Sequence, residues 1–260
     1  MSYQYLLVEK EQGFCTVTLN RPEARNALNL STCTELHDAM MAADQDPEVK
    51  LILLTGAGAE TFCAGRDLKE YANSLTTPFE DWGQRMSERG LNLHFIERMK
   101  KPIIAVINGH AIGGGCELAL ACDMRICSDR AKFRLPEIDL NAFPGMGATW
   151  LLPRIVGRSK ALKMILTGDW ISSPEALEMG LVDQVVPFDR LLSEARRLAS
   201  RISARNSWAI QMAKLAVRQS AEMEVEGART LSTALRSLAE TLMDTKGRVS
   251  RFEVQRKMKK

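Results

Sequence analysis

Glu117 follows three consecutive glycines in the run Gly113-Gly114-Gly115-Cys116-Glu117. Residues 116–122 have helix-forming composition, so the glycines mark a helix start and the glutamate falls in its first turn. Backbone amides at a helix start, uncovered by side chains, form a ready site for negative charge. A carboxylate beside that site points to acid–base work on a substrate that becomes anionic. A second glycine-containing stretch lies earlier: Leu54-Thr55-Gly56-Ala57-Gly58, then Thr61-Phe62-Cys63-Ala64-Gly65-Arg66-Asp67-Leu68. Each stretch follows an apolar run. Two loops of that kind, meeting at one end of a sheet, can each offer one N–H to the same oxygen, which makes an oxyanion hole. Either loop alone reads as a tight turn. A third element, Phe133-Arg134-Leu135-Pro136-Glu137-Ile138 followed by Phe143-Pro144-Gly145-Met146-Gly147, carries another acid. Alone, that acid reads as a solvated loop residue.

Rival chemistries fail on spacing. The dinucleotide fingerprint G-x-G-x-x-G is broken in both registers, by Leu118 counting from Gly113 and by Ala111 counting from Gly109. No G-K-[ST] phosphate loop and no G-x-S-x-G nucleophile elbow occur. His110 has no recognisable serine partner. The six cysteines (Cys15, Cys33, Cys63, Cys116, Cys122, Cys127) contain no C-x-x-C pair and sit mostly in apolar runs. They read as buried free thiols rather than metal ligands, and no metal is expected.

These residues need elements to hold them. Strand patterns lie at 14–19, 50–55, 102–107 and 124–128, with helical patterns between most of them, which is the alternation of an α/β protein. The strand–strand–helix beat recurs loosely and suits a stacked spiral sheet. Residues 108–112 read as a flexible turn. Thr32-x-x-Glu35 has the form of a capping box, opening a helix with Leu36, Ala39, Met40 and Ala43 on one face and a stop near Asp46-Pro47. Residues 70–95 alternate breakers with Phe79, Trp82, Met86 and Leu91 at roughly helical steps, the mark of a surface helix or of a pocket wall. Beyond 191 the pattern is almost wholly helical. The expected division is a spiral α/β core over 1–187 and a helical part over 188–260.

The net charge of +3 over 260 residues is too small to imply a nucleic-acid partner. The tail, Arg256-Lys257-Met258-Lys259-Lys260, is locally basic. The opening segment is too short and polar for a signal peptide, and no run approaches a membrane span. A cytoplasmic location is expected, in keeping with the cysteine usage.

Taken in order along the chain, these pieces resemble one family, the crotonase (enoyl-CoA hydratase/isomerase) superfamily. The residues that carry the resemblance begin with Asn20-Arg21-Pro22 and Asn26-Ala27-Leu28, then Phe62-Cys63-Ala64-Gly65-Arg66-Asp67-Leu68. They continue with Gly113-Gly114-Gly115-Cys116-Glu117-Leu118, Cys122-Asp123, Pro136-Glu137-Ile138 and Pro144-Gly145. Thr167-Gly168-Asp169 and Ala176-x-x-x-Gly180-Leu181-Val182 complete the set. The resemblance implies a crotonase-like spiral of ββα units with C-terminal helices that build trimers or dimers of trimers. It implies an acyl-CoA thioester as substrate and no separate cofactor.

By position the resemblance places the two oxyanion donors on the amides of Ala64 and Gly114. It places CoA contacts on Arg25, Ala27, Ala64, Gly65, Arg66, Asp67 and Leu68, and, from a neighbouring subunit's tail, on Phe252 and Lys257. Members that hydrate 2-enoyl-CoA use two glutamates, one on the glycine-led helix and one after the proline. Glu117 and Glu137 match both. They would hold one water, with Glu117 orienting it as a base, Glu137 giving the proton to Cα, and Gly145 contributing an amide to that water. Trp82, Met86, Phe143 and Trp150 are the expected acyl-pocket residues, Trp150 standing where a glutamine is common. Asp139 is a third acid nearby, in a region that some members use for hydrolysis or dehalogenation. Hydration of a 2-trans-enoyl-CoA is therefore the leading expectation. The alternatives are 2,3-enoyl-CoA isomerisation, another acyl-CoA reaction on this fold, and noncatalytic acyl-CoA binding.

Overall fold

The structure is a computed structural model that describes residues 3–11, 13–70 and 93–242. An antiparallel hairpin, β1 (Leu6–Glu11) and β2 (Phe14–Leu19), opens it. Helix α1 (Leu30–Gln45) leads to β3 (Leu51–Gly56), parallel to β2. Then come β4 (Thr61–Cys63), α2 (His94–Arg98), β5 (Ile103–Ile107), β6 (His110–Ile112) and α3 (Gly114–Ala121). β7 (Met124–Ser128) and β8 (Lys132–Arg134) precede a 3₁₀ segment, Pro136–Leu140. Helices α4 (Ala148–Val156) and α5 (Arg158–Thr167), strand β9 (Ile171–Ser172), helix α6 (Ser173–Glu178) and strand β10 (Gln184–Val186) follow.

Two sheets result, ordered β1-β2-β3-β5-β7-β10 and β4-β6-β8-β9. The pairs β3–β4, β5–β6 and β7–β8 each give one strand to the first sheet and the next to the second. Helices follow the pairs, so the chain winds as a spiral of ββα units. Residue registers are parallel across the centre of the large sheet, Ile52 facing Ile103 and Val106 facing Ile126.

The unbroken apolar runs of β3 and β5 have a simple cause, since both faces of the large sheet are covered. Ile52, Leu54, Ile103, Ala105 and Ile107 enter the main core. Leu51, Leu53, Ile104 and Val106 face the other way, onto Leu191, Ala195 and Ala199 of helix α7 (Leu191–Ser203). Helix α7, although C-terminal to Pro187, thus packs on the large sheet. The chain divides into two compact units at Ala204/Arg205, because α7 buries its apolar stripe against the sheet and belongs to the core unit. The second unit contains α8 (Ser207–Ser220) and α9 (Val225–Leu242), which pack on each other.

Two local expectations also change. The cap of α1 is Asn29, whose side chain accepts from Thr32 N at 2.8 Å. Glu35 leaves the helix start and accepts instead from the amides of Gln4 and Tyr5, so no Thr32/Glu35 box forms. Residues 110–112 are a strand rather than a turn, pairing with β4 and β8.

Candidate active site

The spiral brings the glycine-led helix, the 64–68 loop, the 3₁₀ segment and the 144–148 turn to one place. Gly113 adopts a left-handed φ of 52°, which favours glycine. A Cβ there would also lie 2.9 Å from Glu137 Oε1. A Cβ on Gly114 would lie 2.7 Å from the Met146 methyl, 3.6 Å from Gly65 Cα and 3.7 Å from Arg66 N. At Gly115 it would strike the carbonyl of Cys63, the last residue of β4. The three glycines are thus explained by what crowds them: one carboxylate, one loop and one strand.

Helix α3 supplies Glu117, whose side chain is buried. Its Oε1 accepts from Met146 N at 2.8 Å and Ala148 N at 3.0 Å. Those amides lie at the start of α4, so one helix start holds the acid carried by another. Burial pushes the Glu117 pKa up, while the amides of Ala148, Met146 and Gly147 pull it back by bonding the charged form. At the far end of α3 the buried Arg125 guanidinium donates to the carbonyls of Cys122 (2.9 Å), Ala119 (3.4 Å) and Leu181 (2.8 Å). A cation on those carbonyls closes the helix and fixes its direction.

Glu137 is held differently. Pro136 starts its 3₁₀ segment, and Asn141 ends it in a left-handed conformation. Among the described residues, buried Glu137 Oε2 has no hydrogen-bond partner. Burial pushes its pKa up to about 7. Its own backbone N–H works against that shift, and the charge of Glu117 adds to it. Burial thus raises both pKa values, and neighbouring amides oppose the shift at Glu117.

The glycine loop around Gly65 (φ 82°) lies against Gly114; a Cβ on Gly65 would sit 2.9 Å from Gly114 N. Ala64 does not supply the expected oxyanion donor. Its N–H donates to the Arg25 carbonyl at 3.0 Å, and so binds the 25–28 segment instead. Gly65 N points at Cys63 Sγ, 3.4 Å away. Gly114 is the first residue of α3, where an amide has no acceptor within its own helix.

Arg25 and Asn26 both have positive φ, 54° each. Buried Asn26 holds that turn by donating to the carbonyls of Ala57 and Thr61 and accepting from Arg21 N. Arg21 then bridges the two loops, reaching the Ala27 carbonyl at 2.8 Å and Asp67 at 3.1 Å. Asp67 is thus tied to Arg21, and Leu68 is exposed.

Of the remaining expected residues, Gly145 has open space around its Cβ position, and the neighbouring amides of Met146 and Ala148, rather than its own, bind Glu117. Phe143 is 73% exposed and does not join the buried acids. Trp150 is half-buried and stacks on His94 at 4.8 Å between ring centroids. Asp139 turns away to pair with Arg134 at 2.7 Å. His110 lies on β6 and packs its ring near Trp170 at 5.3 Å. Trp82 and Met86, with the pocket-wall reading of 70–95, and Phe252 and Lys257 all lie outside the described residues. The six cysteines are buried free thiols, and no group of metal-ligating side chains occurs among the described residues.

Sequence reasoning missed the Met146 and Ala148 amides. Their signal was present in Pro144-Gly145-Met146-Gly147, a glycine-rich entry to an apolar helix like the one at Gly113–Gly115.

A spiral ββα fold with one buried and one half-buried glutamate at a glycine-led helix defines a class, and the comparisons with known proteins agree with it. The enoyl-CoA hydratase/isomerase family model matches residues 9–259, and the chain belongs to that family. It is 37% identical over 257 residues to a crotonyl-CoA hydratase of Syntrophomonas wolfei, covering 99% of this chain and 98% of the relative. It is 38% identical over 248 residues to the 2,3-dehydroadipyl-CoA hydratase of Escherichia coli, covering 95% and 94%. The enoyl-CoA hydratase structure from Bacillus anthracis superimposes with a TM-score of 0.91 at 32% identity over 97% of both chains.

Proposed function

We propose that this enzyme of the enoyl-CoA hydratase type adds water across the double bond of a 2-trans-enoyl-CoA to give a 3-hydroxyacyl-CoA. The observation that carries the proposal is the pair of glutamates beside Gly113 and Gly114, buried Glu117 held by two amides and half-buried Glu137 with a pKa near neutrality. The amide-bound Glu117 carboxylate acts as base, taking a proton from water as the oxygen bonds C3. Glu137, its pKa pushed up to about 7, carries a proton below neutral pH and in part at neutrality, and delivers it to C2. The reaction adds OH at C3 and H at C2, and the cycle resets when the proton on Glu117 passes to Glu137.

Charge built up on the thioester oxygen between these steps needs two N–H donors. Gly114 is one. With Ala64 engaged by Arg25, the donor from the neighbouring loop is assigned to Arg66, whose nitrogen lies beside Gly114. Arg25, Ala27 and residues 64–68 are the proposed CoA-binding edge, with Phe252 and Lys257 of a neighbouring subunit added to it. Trp82, Met86, Phe143 and Trp150 are the proposed acyl-side residues. No cofactor enters this scheme.

Assembly into trimers or dimers of trimers belongs to the same proposal. No residue of α8 is buried within the chain, and Trp208, Leu215 and Val217 are exposed along it. Among the described residues no helix is long and apolar enough to cross a membrane. A cytoplasmic location is proposed with the same reading.

The test follows the loss of conjugated-thioester absorbance of crotonyl-CoA, with and without EDTA, and with no added nucleotide. Turnover in both conditions is expected. Activity only with a metal or a nicotinamide would overturn the proposal.

A further inference from the structure

The side chain of Met146 plays no part in the proton chemistry above, yet it lies close against Gly114. Its methyl lies 2.7 Å from where a Cβ on Gly114 would be, and Gly65 Cα and Arg66 N lie 3.6 and 3.7 Å from that same point. Its backbone N–H is one of the two that hold Glu117, which fixes the backbone at this position. The side chain is partly buried and packs against the main core. Glycines at 145 and 147 flank it, so Met146 alone brings side-chain bulk to this stretch of the turn.

We infer that Met146 determines specificity at the reacting end of the acyl group, excluding enoyl-CoA substrates with a substituent on C2. The inference rests on the hydratase reading and deepens it. A carbonyl oxygen bound by Gly114 places C1 directly outside the glycine, and C2 is one bond further. A hydrogen on C2 passes the Met146 methyl, and a methyl group on C2 competes with it for one volume. The tail of the acyl chain starts at C4, two bonds beyond C2, and does not meet this constraint. A single methyl or methylene in a tight pocket is typically worth roughly 10–200-fold in discrimination.

The experiment compares kcat/KM for crotonyl-CoA and 2-methyl-2-butenoyl-CoA in the wild type, Met146→Ala and Met146→Val. The two substrates differ by one methyl on C2. The readout is the ratio between them, so a common loss from loosening Glu117 cancels. The ratio is expected to shift toward the branched substrate by about tenfold or more in Met146→Ala, and by less in Met146→Val. Met146→Leu, which keeps the bulk, should hold the wild-type ratio. An unchanged ratio in either shortened variant, with crotonyl-CoA still hydrated, overturns the role of Met146 and leaves the hydratase reading standing. A wild type that hydrates neither substrate overturns the hydratase reading, and this inference with it.

Discussion

Glu117 and Glu137 flank the same glycines and burial raises both pKa values, but the backbone around them differs. Glu117 rides on a helix whose far end is closed by buried Arg125, and its Oε1 accepts from two amides. Glu137 sits on a short 3₁₀ segment after a proline, with a buried oxygen that meets no donor among the described residues. Amide donors favour a charged carboxylate, and dry surroundings favour a protonated one. The difference teaches how two identical side chains can serve as base and acid at one pH, with the assignment made by backbone rather than by side-chain identity.

The largest test of that contrast is Glu137→Gln. It removes the proton donor while keeping the shape, and both hydration and any 3-enoyl isomerisation are expected to fall by roughly 10²–10⁴-fold or more. Glu117→Gln should cut hydration by about the same factor, because water loses its base, while isomerisation through Glu137 falls less. Steady-state rates on crotonyl-CoA and on a 3-enoyl-CoA read both outcomes. Hydration within a few-fold of wild type for Glu117→Gln would reduce that residue to an acid that merely stitches α3 to α4.

The pH profile gives the next effect. With the Glu137 pKa near 7, the donor form is lost as pH rises, so kcat/KM should decline by about tenfold per unit well above neutrality. The sign for stability is the same. Glu137 binds its proton more tightly folded than unfolded, so its contribution is complete below the ordinary carboxylate range and is lost as pH rises through 7. Thermal melts of Glu137→Gln against wild type should therefore diverge in favour of the variant from pH 5 to pH 8. Equal melting behaviour at both values would show that Glu137 is already ionised at neutrality.

The smallest expected effect belongs to Asp139→Asn. Its carboxylate is engaged by Arg134 on the outer side of the 3₁₀ segment, so hydration should stay within about twofold. A large loss would move Asp139 into the site and revive the hydrolytic alternative.

Much of this was legible in the chain. The strands at 14–19 and 124–128 stand where the alternation put them, and those at 51–56 and 103–107 within one residue, the last two because a sheet covered on both faces writes its central strands as apolar runs. The short strands β4, β6, β8 and β9 were not legible. Two or three residues carry no period, and their pairing is a property of the spiral. The resemblance put a donor on Ala64 because a motif position shows where a loop can offer an N–H but not which carbonyl already takes it. The placement of α7 was hidden for a related reason. Its stripe looks the same whether it meets the sheet or another helix, and only Leu191, Ala195 and Ala199 lying against Ile104 and Val106 decide the matter.

The Gly114 amide, where the thioester oxygen is proposed to rest, has one further consequence. A peptide N–H does not change charge between pH 5 and 9, whereas Glu137 does. Grip and turnover are therefore set by different chemistry, and alkaline conditions should silence the reaction without loosening the thioester. Above neutral pH the enzyme would sequester acyl-CoA rather than convert it, and a competitor would still be needed to empty the site.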